Sequence, residues 1–94
     1  MPDLDRIVIF GAGLVGASIG MACREAGCQV FLHDRVPSHA LVAAGIGAGS
    51  IDGYDPASIE LVVIAVPPTA IPGLIAQSLE QYPNAVITDV GSVK

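Results

Sequence analysis

The sequence predicts an α/β fold, a doubly wound parallel sheet, on three observations. Short aliphatic runs alternate with segments of helical pattern, in the order β-α-β-α-β-α-β-α-β. The apolar set makes up 52% of the 94 residues, charged residues 14% and aromatic residues 4%, so the core is aliphatic, as in a sheet covered on both faces. A glycine-rich turn, Gly11-Ala12-Gly13-Leu14-Val15-Gly16, separates the first apolar run from the first helix. The length is that of one domain, here a Rossmann-type fold over residues 1–94 with an expected strand order of 3-2-1-4-5.

Each element has a local reason. Residues 6–10 form a short β-branched run closed by Gly11. Residues 14–26 follow as a helix, apolar almost all round until Arg24 and Glu25, and so expected to lie buried against the sheet, with Gly27 as its stop. Residues 29–33 are the second strand. Pro37 opens a helix that Gly45 ends. Residues 46–54 are rich in glycine and leave room for a very short third strand. Residues 61–66 are the clearest strand, ended by Pro67-Pro68, which cannot donate to a ladder. Thr69 is placed to cap a helix that tolerates Pro72 in its first turn and runs to Gln81. Residues 85–89 are the fifth strand. There is no internal repeat, low-complexity tract or long linker.

The formal charge of -5 argues against a partner with a phosphate backbone or an anionic lipid surface, so neither nucleic acid nor membrane is expected. The uncharged stretch from Ile7 to Cys23 contains a Gly16/Gly20 pair, but four glycines and a short length make it a strand, turn and helix rather than a membrane span. The acidic start is unlike a signal peptide. Cys23 and Cys28 match no redox or zinc spacing and read as buried or half-buried thiols of a cytoplasmic protein.

The glycine turn carries the chemistry. GxGxxG is a weak signal alone, but here it follows a strand and opens a helix. Gly11 permits the tight turn, Gly13 lets a pyrophosphate approach the backbone, and Gly16 lets helix and strand pack closely. Leu14 and Val15 begin the helix, whose free amides and positive dipole end suit phosphate even in an acidic chain. Asp34 lies 18 residues after Gly16, close to the offset of about 20 expected for a ribose-binding carboxylate. It favours NAD over NADP, since a carboxylate repels a 2′-phosphate. Arg35 beside it could contact that phosphate or stack on adenine. Val66, Pro67 and Pro68 sit at the carboxyl end of the fourth strand, beside the position where open α/β sheets bind ligands. His33 and His39 lack partners at metal spacing and are expected to be structural or solvated, as are the charges of Asp52, Asp55 and Glu60. No metal is expected.

The final residues, Val86-Ile87-Thr88-Asp89-Val90-Gly91-Ser92-Val93-Lys94, resemble the end of the nucleotide-binding domain in the prephenate and arogenate dehydrogenase family. Phe10 to Ser18, His33-Asp34-Arg35, residues 61–67 and, more loosely, residues 43–51 are similar to other segments of that family. The resemblance covers essentially the whole chain. It implies a part in the NAD-dependent oxidative decarboxylation of prephenate or arogenate in tyrosine biosynthesis, with loss of carbon dioxide aromatising the ring. It also implies that Ser92 lies near the nicotinamide, hydrogen-bonded to a catalytic histidine or to the substrate hydroxyl. The family's catalytic histidine stands in a downstream segment, and a helical domain supplies substrate contacts and a homodimer interface. Both fall outside these residues, so the chain is expected to bind NAD without turning over substrate. Two other readings stay open at this point: a stand-alone dinucleotide-binding module, and the nucleotide domain of a 3-hydroxyacid or imine-reducing dehydrogenase.

Overall fold

The computed structural model describes residues 5–51 and 53–90. The strands β1 (Arg6–Phe10), β2 (Gln29–His33), β3 (Leu61–Ile64) and β4 (Val86–Asp89) form one sheet in the order β2-β1-β3-β4. All three ladders are parallel, with Phe10 opposite His33 on one side and Ile64 on the other. The helices are α1 (Leu14–Glu25), α2 (Pro37–Gly45) and α3 (Ile71–Gln81), with 3-10 turns at Pro56–Ser58 and Pro68–Ala70.

Strand alternation divides the core in two. Ile7, Ile9, Val30, Leu32 and Val63 face one way and pack with Ala17 of α1 and Ala40 and Ala43 of α2. Val8, Phe10, Phe31, Val62 and Ile64 face the other way, where Ile71, Leu74 and Ile75 of α3 cover them. This is a doubly wound sheet: strands are added outward from β1 in one direction to β2 and in the other to β3 and β4, so the winding reverses between β1 and β3.

The expected order 3-2-1-4-5 needs correction in one respect. The segment proposed as a third strand makes a single parallel bridge, Ser50 opposite Phe31, outside β2. Ser50 donates to the Val30 carbonyl at 2.9 Å and accepts from the Leu32 amide at 2.7 Å. Gly47 and Gly53, at φ of 92° and 88°, turn the chain away on either side, since a left-handed residue cannot continue a pleated strand. The position in the sheet is occupied as foreseen, but only one residue long.

Helix α1 also departs from expectation. It is not buried all round: it buries Gly16, Ala17 and Gly20, while Leu14, Val15 and Met21 are exposed. The Gly16/Gly20 stripe faces inward. A side chain at Gly20 would begin 2.4 Å from the Ala48 carbonyl oxygen, so the pair serves close packing of α1 within the fold. Among the described residues no helix is long and apolar enough to cross a membrane. Thr69 caps nothing with its side chain: α3 starts at Ile71, after the 3-10 turn, and Pro72 lies in its first turn. Asp55 and Glu60 hold structure rather than merely charging the surface. Asp55 accepts from the Ala57 amide, and Glu60 accepts from the amides of Asp5 and Arg6. Asp52 lies outside the described residues. Cys23 and Cys28 are half-buried against the α1 side of the core.

Candidate functional site

The carboxyl ends of β1, β2 and β3 open into a cleft of 620 Å³, the place where open α/β sheets bind ligands. Its walls include Gly11 and Gly13 after β1, Asp34 and Arg35 after β2, and Val66 and Pro67 after β3. These six were singled out from sequence. Of the other sequence candidates, Leu14, Val15, Gly16 and Pro68 do not line the cleft. Leu14 and Val15 contribute the first turn of α1 while their side chains point to solvent. Gly16 lies behind the loop, and Pro68 opens the following 3-10 turn. Ser92 lies outside the described residues.

The glycine loop is fixed by its neighbours. The Gly11 amide donates to the His33 carbonyl at 2.7 Å, and the Ala65 amide donates to the Phe10 carbonyl at 2.8 Å, so the turn hangs between β2 and β3. Gly11 has φ 97°, and a side chain there would begin 2.3 Å from the Ala65 carbonyl oxygen. Gly13 differs: a side chain there would meet nothing within 4 Å. Gly13 is the N-cap of α1, no side chain caps the helix, and its first turn holds no acidic residue. The first amides of a helix have no intrahelical partner, and they carry its positive dipole end. Bare backbone with open space in front of it fits a diphosphate.

Asp34 closes one side. Its Oδ2 accepts from the Ala12 amide and its Oδ1 from the Val36 amide, each at 2.8 Å. His39 Nδ1 stands 3.5 Å from Oδ1. Burial pushes the Asp34 carboxyl up, but the two amide hydrogen bonds and His39 outweigh it and hold the group below the usual carboxylate range. The carboxylate is therefore ionised and braces the glycine loop. A carboxylate has about four acceptor positions, so capacity remains for ribose hydroxyls.

Sequence reasoning passed over both histidines as structural or solvated, yet both line the cleft. His39 is solvated but sits against Asp34. His33 stacks on Phe10 with ring centroids 5.2 Å apart, and its Nε2 is hydrogen-bonded to the Tyr54 hydroxyl, which meets the Tyr82 hydroxyl at 2.9 Å. No local pattern links His33 to Tyr54, because the contact depends on where the loop after the Ser50 bridge returns. Thr69 and Leu74 also line the cleft and were not expected to. Among the described residues no group of three metal-ligating side chains comes together.

Burial lowers the His33 pKa, and burial, helped by the hydrogen bond with Tyr82, raises that of Tyr54. The sign for His33 is definite. An imidazole depressed in the folded state takes a proton more readily when unfolded, so stability is held above about pH 6.5 and lost as pH falls toward the folded value. We expect the imidazole NMR signals of His33 to titrate below about pH 6.5, with the urea midpoint falling over the same window. A midpoint at or above that value would overturn the buried, neutral assignment.

The fold and the cleft define a class, the dinucleotide-binding α/β domain of nicotinamide-dependent oxidoreductases. The chain belongs to the family described as NADP oxidoreductase, coenzyme F420-dependent, which matches residues 6–92. It is 36% identical over 87 residues to a probable prephenate dehydrogenase, NovF, of Streptomyces niveus, covering 93% of this chain and 24% of that protein. The chain thus spans about a quarter of the length of this relative. Its structure is similar to arogenate dehydrogenase of Synechocystis, with TM-score 0.81 and 26% identity over 95% of this chain and 34% of the other. Lactate dehydrogenase of Eimeria maxima shares the fold, with TM-score 0.59 and 17% identity over 99% of this chain and 37% of the other. The relatives are dehydrogenases, and the chain is homologous to the nucleotide-binding part of the prephenate and arogenate enzymes. Membership of this dinucleotide-binding oxidoreductase family supports NAD(P) use by the domain.

Proposed function

We propose that this chain is the NAD-binding part of a cytoplasmic prephenate or arogenate dehydrogenase. The observation that carries the reading is the uncapped start of α1, facing open space at Gly13 and flanked by the ionised Asp34 in one cleft. Residues 11–16 hold the diphosphate through backbone amides, and Asp34 accepts from the adenosine ribose. When bound, the nicotinamide supplies a hydride acceptor. Val66 and Pro67 form an apolar wall that limits water at the ligand. The Ser92 hydroxyl would hold the substrate hydroxyl or the histidine that takes its proton. Substrate recognition and dimerisation would fall to a helical domain within the remaining length of the whole enzyme.

Calorimetric titration tests the cofactor assignment. NADH is expected to bind more tightly than NADPH near neutral pH. Asp34→Ser should weaken NADH by about tenfold, the loss of one to two hydrogen bonds to a charged group, and narrow the gap between the two. NADPH binding better than NADH would reject the role of Asp34.

A further inference from the structure

The way α1 ends brings the two cysteines of the chain together. The Gly27 amide donates to the Arg24 carbonyl and the Cys28 amide to the Cys23 carbonyl, each at 3.0 Å. Gly27, at φ 93°, turns the chain back on itself. This pair of bonds is the left-handed helix ending in which the residue just past the turn packs on the third-last residue of the helix, here Cys28 on Cys23. Both side chains pack against the same apolar cluster, on the α1 side of the sheet. A backbone hydrogen bond of 3.0 Å holds the two α-carbons less than about 7 Å apart by bond lengths alone. The bent bond angles shorten this into the range of about 4.4–6.8 Å that a disulfide spans. From this geometry we propose that Cys23 and Cys28 are a reversible redox site, a thiol pair that a small-molecule disulfide closes into a bond within the native fold.

The site is independent of the dinucleotide reading, since neither cysteine lines the cleft. Both anchors are fixed before the bond forms. Cys23 lies in the last turn of α1, and Gln29, next to Cys28, donates to the Asp5 carbonyl at 2.6 Å and opens β2. Ends set in advance make the closing step intramolecular, so it outruns capture of a second small molecule. The exchange balances with the small disulfide as oxidant. The thiolate of one cysteine attacks it and releases one small thiol, leaving a mixed disulfide. The other cysteine, having lost its proton, attacks the protein sulfur of that bond and releases the second small thiol. Two protein sulfurs are oxidised and two small-molecule sulfurs are reduced. Burial, and then the neighbouring Cys28, raise the Cys23 pKa, so its thiolate is scarce at neutral pH and the exchange quickens in mild alkali. Where thiols are kept reduced the open pair is the resting state, and the bond forms as small disulfides accumulate.

The test equilibrates the folded 94-residue chain with oxidised glutathione at about pH 8.5 and reads its intact mass. Wild type, Cys23→Ser and Cys28→Ser are compared. The wild type should lose two hydrogen atoms and carry no glutathione, whereas each serine variant should retain one glutathione on its remaining cysteine. The closed wild type should melt about 5 °C above its reduced form, the scale expected for a short loop cross-linked without strain. Dithiothreitol should restore both the mass and the melting temperature. A folded wild type that keeps glutathione adducts, or joins a second chain, overturns the proposal. So does one that stays reduced under conditions in which the urea-unfolded chain closes the bond, and so does a closed form that melts below the reduced one.

Discussion

Gly16→Ala should destabilise the domain by about 3 kcal/mol, a large share of the 5–10 kcal/mol or so that a chain of this size possesses. The added carbon would begin 1.8 Å from the Gly11 carbonyl oxygen and 3.4 Å from the Ile9 side chain. The first neighbour is backbone, and it cannot swing aside as a side-chain tip would. Gly11 is held by the hydrogen bond its amide donates to the His33 carbonyl and packed against the Ala65 carbonyl, so relief must come from lifting α1 off the sheet. That movement separates Ala17 and Gly20 from the core beneath them. A urea titration checks it, and a midpoint equal to that of the wild type would show that the loop yields more easily than its contacts imply.

Gly13→Val should do the reverse. The position is extended, at φ -75° and ψ -165°, and an added side chain meets nothing within 4 Å. Stability should therefore stay within about 1 kcal/mol, with the loss of backbone freedom in the unfolded chain acting on the favourable side. Dinucleotide affinity should fall by about a hundredfold or more, equivalent to some 2.7 kcal/mol, because the branched side chain fills the space where phosphate must meet bare amides. Calorimetry with NADH on a sample shown to be folded decides it. Binding within threefold of wild type would move the phosphates away from this loop. The two glycines stand three residues apart, yet these outcomes would assign one to the fold and the other to the ligand.

Periodicity located β1 and β2 to the residue, because each is a short apolar run with a glycine or a polar residue at its end. The placement of the glycine loop and Asp34 at the cleft was legible for a related reason: it follows from backbone conformation and strand-end position, which local sequence controls. The stretch around Ser50 was less legible. Its glycines allow both strand and turn, and the choice fell to the packing of Gly49 against Val30 and Leu32. The burial of α1 was overestimated because an apolar helix does not say which face it presents. The small residues Gly16, Ala17 and Gly20 let it approach the sheet closely and left Leu14 and Val15 outside.

Taken by itself, the sequence determined the layered α/β architecture, the parallel strands, the glycine loop and the carboxylate that follows it. All of these are written in patterns shorter than about 30 residues, the length of one strand–helix–strand unit. Tertiary structure alone decided the contacts across such units: His39 against Asp34, the Tyr54 hydroxyl on His33, and the cleft walls from Thr69 and Leu74. The physical reason is that side chains from separate units meet only after the sheet has set its order and register, and no local propensity encodes where they meet.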